Sequence, residues 1–146
     1  MISIRRMAVE DIPASHNLLS QLGYRMEVAE VRRRFDAVAR FDDHAMIVAA
    51  EDGRVIALCH MYGRPTLDKP PEAMVQALVV DQAARGLGVG KLMMAAAEAW
   101  AVVCGFDSVT LGSHVSRSDA NAFYESLGYV TEAASHQMRK PLGVPP

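Results

Sequence analysis

The chain has 146 residues, 51% of them hydrophobic and 22% charged, which is enough apolar material for one globular domain with a core of its own. A formal net charge of −2 excludes any general electrostatic attraction to nucleic acid or to anionic membrane. The opening "MISIRRMAVED" lacks the apolar centre of a signal peptide, and no apolar run nears the roughly 20 residues that span a bilayer, so a single cytoplasmic domain over 1–146 is expected.

In chain order, "ISIRRM" reads as an opening strand. Pro13 then sits in the first turn of a helix whose Ile12, Leu18, Leu19 and Leu22 form one apolar face, and Gly23 ends it. Val28, Val31, Phe35 and Val38 repeat at helical spacing in a second helix. The stretch "HAMIVAAEDGRVIALCHMY" reads as two strands joined at Asp52-Gly53, a strong hairpin signal. After a loop marked by Pro65, Pro70 and Pro71, "EAMVQALVV" supplies a further strand, and residues 88–104 a long helix closed by Gly105. A strand "SVTLGSH", a helix from Ser118 to Leu127 and a last strand "YVTEAASHQMRK" follow, before a frayed "PLGVPP". The expected order is β-α-α-β-β-β-α-β-α-β. Cys59 and Cys104 are too few for a disulfide framework and are expected to be reduced and buried.

The stretch "ARGLGVGKL" places Gly86, Gly88 and Gly90 between an apolar strand and a helix. A dinucleotide fingerprint begun at Gly86 requires glycine at 91, where Lys91 stands; begun at Gly88 it requires glycine where Met93 stands. A P-loop ending in Gly90-Lys91 requires glycine at 85 and serine or threonine at 92, where the chain has Arg85 and Leu92. What remains is a turn that lets a ligand approach the backbone closely, with free N–H groups at the positive end of a helix dipole. A pyrophosphate suits that place, and a glycine turn that merely tightens the connection is the plain alternative.

"VVDQAARGLGVGKLM" resembles the coenzyme A loop of the GNAT superfamily of N-acetyltransferases, whose pattern [QR]-x-x-G-x-[GA] is filled here by Arg85, Gly88 and Gly90. Downstream, "DANAFYESLGYV" is similar to the penultimate helix of that family, with its aromatic-tyrosine pair followed by Gly-Tyr. The resemblance covers the whole chain. It implies an α/β fold of α+β character, the GNAT acyl-CoA N-acyltransferase fold, with a mixed central sheet of about six strands flanked by four helices. It also implies acetyl-CoA as co-substrate and an amine as acceptor.

By the same resemblance, the fourth strand splays from the fifth, and backbone groups of Leu78, Val79 and Val80 meet the pantetheine arm and the acetyl carbonyl, where an N–H stabilises the developing oxyanion. The amides of Arg85, Gly86, Leu87, Gly88, Val89, Gly90 and Lys91 hold the pyrophosphate. Tyr124 stands where family members use a tyrosine to protonate the departing thiolate, although it also borders the apolar stripe of Ala120, Phe123 and Leu127 and could serve packing alone. Seven residues earlier, where many members carry a cofactor-contacting asparagine, this chain has Arg117; Asn121 lies nearby, out of register. Some relatives place a glutamate four residues before the position of Leu78. Met74 occupies that place here, which leaves Glu72, on the same strand face, or a water chain to take the proton of the acceptor ammonium.

Other constellations give no site. Cys59 and His60 are adjacent in a strand and point to opposite faces, so they cannot form a nucleophile-base pair. The five histidines, at 16, 44, 60, 114 and 136, have no metal-ligand spacing, and no metal is expected. Arg32-Arg33-Arg34 fan around a helix and make no single basic face, and the methionines of "LMMAAA" read as core. The acceptor pocket falls by resemblance near "GYRMEVAE", with Tyr24, Met26 and Glu27 as lining. A homodimer through the edge of the last strand beside "SHQMRK" is expected. Two functions follow: an acetyl-CoA-dependent N-acetyltransferase acting by direct attack of a primary amine in a ternary complex, or an acyl-CoA-binding regulatory module with little or no transferase activity.

Overall fold

A computed structural model describes residues 1–113 and 118–143. Arg117 and His114 therefore lie outside the described residues. The chain divides into two compact units, Met1–Gly112 and Ser113–Pro146.

The first unit is a five-stranded sheet with three helices. Its strands β1 (Ile2–Arg6), β2 (His44–Glu51), β3 (Arg54–Arg64), β4 (Glu72–Val80) and β5 (Val109–Leu111) lie side by side in sequence order. Every pairing is antiparallel except β4 with β5, which run parallel. Helices α1 (Ile12–Leu22) and α2 (Val28–Ala39) join β1 to β2, and α3 (Val89–Val103) joins β4 to β5. A connection of that length is what a parallel pair requires.

Alternation along the strands divides the core. Val48, Leu58 and Val79 point to one face, where Leu18 of α1 closes a buried cluster edged by Leu19 and Leu22. The neighbouring positions Ala49, Ala57, Cys59, Met61 and Val75 are buried on the opposite face, which α3 covers with Met93, Met94 and Ala97. The methionine stretch is thus core, as its sequence suggests, except for exposed Leu92 and Ala95. Cys59 is buried as expected, whereas Cys104 is exposed, because it caps the end of α3 instead of lying on the buried stripe.

Local signals explain the helix ends. Gly23 (φ 108) caps α1 by donating to Leu19 and Ser20 carbonyls, which requires a left-handed residue. The hairpin turn has Asp52 and Gly53 both at positive φ, the type I′ pattern that matches strand twist. The arginine run on α2 is paired within its own helix: Arg32 with Asp36, and Arg33 and Arg34 with Glu30. Where β3 ends, the backbone of Gly63 receives the ring of Phe106, and any Cβ there would collide with it.

The entry into α1 is fixed by a buried carboxylate. Asp11 takes a forked pair of bonds from the Arg5 guanidinium at 2.7 and 2.9 Å and a third from the Ala8 N–H at 2.7 Å. The Arg5 bond holds its carboxyl below the usual range, against the opposing effect of burial. Because the folded state binds the proton less tightly, this contribution is complete above the unfolded value and fades as pH falls through the lowered one. Asp11→Ala is expected to cost about 2 kcal/mol at pH 7 in denaturant titration, with the difference from the parent protein shrinking in acid below about pH 4.

The second unit contains α4 (Ser118–Ser126), followed by Gly128 at φ 96. The expected strand over "YVTEAASHQMRK" is not found among the described residues; that stretch is irregular and exposed. The sheet therefore has five strands instead of about six, since an exposed segment without a ladder partner leaves its backbone groups to water and has no pairing to hold it extended. The homodimer expected through that strand's edge loses its stated basis.

Candidate functional site

Two features of the first unit converge at the carboxyl end of β4. Parallel pairing with β5 is confined to Ala73, Met74 and Val75, opposite Val109, Thr110 and Leu111. From Gln76 to Val80, the β4 edge that faces away from β3 has no strand partner among the described residues. Gln76 is also an extra residue in the β3–β4 ladder, since His60 pairs with Ala77 and Met61 with Val75. A bulge beside a strand's departure re-aims its backbone groups. Leu78, Val79 and Val80 thus lie along an open strand edge able to bond an amide-bearing ligand.

The chain then enters the glycine loop through a fixed corner. The Asp81 carboxylate accepts from the Ala83 N–H at 3.2 Å, from Gln21 of α1 at 3.4 Å, and from Arg54 at 2.6 Å. These bonds, the Ala83 amide first, lower its pKa. Gln21 also accepts from the Gln82 N–H, so α1 anchors the entry of the turn Gln82–Ala84. Arg85 donates to the Val80 carbonyl at 3.3 Å.

Gly86 (φ 81) and Gly88 (φ 80) are left-handed, and a Cβ on either would meet no protein atom within 4 Å. Gly88 is the N-cap of α3, and the first intrahelical bond runs from Leu92 N–H to its carbonyl. Among the described residues, no backbone carbonyl accepts from the amides of Gly86 to Lys91. Val89 is buried and roots the loop, while Leu87 and Lys91 are exposed. Open space, glycine backbone and a row of unengaged donors at a helix amino terminus fit a pyrophosphate.

Other expected residues occupy different surroundings. Glu72 is ion-paired with Lys69 at 3.2 Å and more loosely with Arg64 at 3.9 Å, a strand-end anchor opposite Arg64 in the ladder. Tyr24 is exposed, and the Met26 carbonyl is held by His16 Nε2 at 2.7 Å. In the second unit Asn121 and Tyr124 are half-buried on α4. The Tyr124 ring meets Phe123 at 5.1 Å and Tyr129 at 6.0 Å, and its carbonyl accepts from Leu127 and Tyr129 N–H groups. Cys59 is out of any nucleophilic role, since burial pushes its thiol up to about 12.

One cluster was not singled out by the sequence. His44 Nδ1 lies 2.9 Å from His60 Nε2, and the His44 ring stacks on Tyr62 at 4.9 Å. Burial, with a smaller effect from His44, pushes His60 down to about 4, so it is neutral at pH 7.

A family model described as Acetyltransferase (GNAT) family matches residues 12–129. The chain belongs to the GNAT family. Its fold is the GNAT fold, an open mixed sheet with four helices. The uncharacterized N-acetyltransferase YhdJ of Bacillus subtilis is 26% identical over 144 residues, covering 97% of this chain and all of that protein. Among solved structures, a transcriptional regulator from Bacillus halodurans superposes with a TM-score of 0.88 at 22% identity, covering 96% of this chain and 100% of that one. The aminoglycoside N-acetyltransferase AAC(6')-Iy, solved with CoA, does so with a TM-score of 0.88 at 19% identity, covering 97% and 96%. Among the described residues, no helix of this GNAT protein is long and apolar enough to cross a membrane.

Proposed function

We propose that this GNAT domain, taken as one functional unit over 1–146, moves an acetyl group from acetyl-CoA to a primary amine in a single ternary complex. The observation that carries the reading is the open edge of β4 running directly into a helix terminus whose amides have no backbone acceptor among the described residues. A pantetheine arm has amides to pair with such an edge, and a pyrophosphate suits the loop that follows. CoA in the aminoglycoside acetyltransferase of the same fold supports this choice of ligand.

In this reading the amine nitrogen attacks the thioester carbonyl, an N–H in the Leu78–Val80 stretch meets the forming oxyanion, and the carbon–sulfur bond then breaks. Tyr124 donates its phenolic proton to the departing thiolate. Amides of the loop from Arg85 to Lys91 hold the pyrophosphate, and Asn121 lies on the same helix as Tyr124 as a further contact to the cofactor. Glu72 is a weaker candidate for the base, because two cations hold its carboxylate.

The second reading, an acyl-CoA-binding regulator, is favoured by Met74 at the position where some relatives carry a glutamate, and a protein of the same fold is described as a transcriptional regulator. Release of free thiol from acetyl-CoA over a panel of primary amines, with thermal shift as the binding readout, decides between them. Amine-dependent thiol release is expected. Stabilisation by CoA with no turnover on any amine would replace the enzyme by the regulator.

A further inference from the structure

The histidine pair on β2 and β3 has no place in the chemistry above, yet it is bonded and stacked. His44 pairs across the ladder with Tyr62, and Met46 with His60, so both imidazoles stand on the sheet face that α1 covers further along. His60 is directly opposite Ala77, inside the stretch of β4 that has left β5 and next to the Gln76 bulge. On its far side, His44 lines a cavity of about 320 Å³ with Arg6, Phe35, Phe41 and Asp42. The pair thus runs along this sheet face from beside Ala77 of β4 to a separate cavity beside α2.

We propose that His60 and His44 form a proton relay that takes the proton from the acceptor ammonium and passes it to that cavity. The inference rests on the acetyltransferase reading. His60 Nδ1 accepts the ammonium proton as the His60 Nε2–H is donated to His44 Nδ1, so one proton enters the pair and one positive charge ends on His44. The neutral amine left behind attacks the thioester.

Surroundings favour that direction. His60 is the more costly place for charge, being pushed down by burial and by His44. The His44 ring lies nearly parallel to the Tyr62 ring, with an interplanar angle of 14°, and an imidazolium there faces an aromatic π-surface. Asp42 and Arg6 are the charged groups of its cavity, the first favouring the cation and the second opposing it. Around His60, β4 presents Ala77 and Met74, and Glu72 further along is engaged by Lys69 and Arg64. His16 of α1 is occupied with the Met26 carbonyl, and Phe41 after α2 adds only a ring, 5.4 Å from His44.

The test uses His60→Gln and His44→Phe, the second keeping a ring against Tyr62, on an amine that the parent protein acetylates. At pH 7 each variant is expected to lose at least tenfold in kcat/KM, with acetyl-CoA affinity unchanged by thermal shift. That gap should close as pH approaches the amine's own pKa, near 10, where the acceptor needs no base. Equal losses at every pH would reduce the pair to a structural role and overturn the relay, as would variants that match the parent at pH 7. Failure of the parent protein to turn over any amine while CoA still stabilises it would instead remove the enzyme reading, and the relay with it.

Discussion

Replacing Tyr124 by phenylalanine is expected to lower kcat by about 10²-fold while leaving acetyl-CoA affinity where it was. The substitution removes one hydroxyl and keeps the ring that meets Phe123 and Tyr129, so packing of α4 is retained. A leaving thiolate that must depart without a proton raises the barrier most when its thiol is weakly acidic. Thioesters of more acidic thiols should therefore show a smaller loss in the same variant. Steady-state kinetics on a confirmed amine acceptor check both effects, and a wild-type kcat would move the acid role to water.

Loss of measurable CoA binding is the expected result of Gly88→Val. Two causes must be separated, because Gly88 sits at φ 80 and valine there is strained whatever the ligand does. Gly53 supplies the control: it has φ 78, and a Cβ there also meets nothing within 4 Å, but it lies in the β2–β3 turn, outside the loop itself and one residue before Arg54, which holds the Asp81 corner. Gly53→Val and Gly88→Val should lose stability by comparable amounts, of order 1–2 kcal/mol. Only the second should lose the ligand, since its side chain enters the space over the helix terminus that a pyrophosphate requires. Unchanged CoA affinity in a folded Gly88→Val protein, read by calorimetry, would end the assignment of the loop.

The parts of this molecule that were legible in its sequence are those written in local chemistry. Gly23, Asp52-Gly53, Gly86 and Gly88 each demand a particular backbone, and periodic leucines and valines name the inward face of α1 and, apart from exposed Val28, of α2. The glycine loop could be read for the same reason, since its donors come from consecutive residues. By contrast, the stretch "YVTEAASHQMRK" reads as a strand, but a strand also needs a partner, which no local pattern supplies.

The histidine pair was hidden for a different reason. Carried straight back from the Asp52-Gly53 turn, the register would set His44 across from Met61 and on the other face from His60. An extra residue, Ile56, shifts the ladder between Ala49 and Ala50 by one and brings His44 opposite Tyr62. A bulge of one residue cannot be seen in the alternation "RVIALCHMY", because Val55, Ile56, Ala57 and Leu58 are all apolar.

The seat of Phe106 against Gly63 carries a consequence for how this sequence can drift over generations. Position 63 admits no side chain while a phenyl ring stands over it, and a smaller residue at 106 leaves a gap where the ring now packs beside Trp100. A substitution at either place alone meets a penalty, of collision in one case and of lost contact in the other. Growth at 63 together with shrinkage at 106 restores the fit, so the end of β3 and the turn after α3, far apart in the chain, are bound to change in concert.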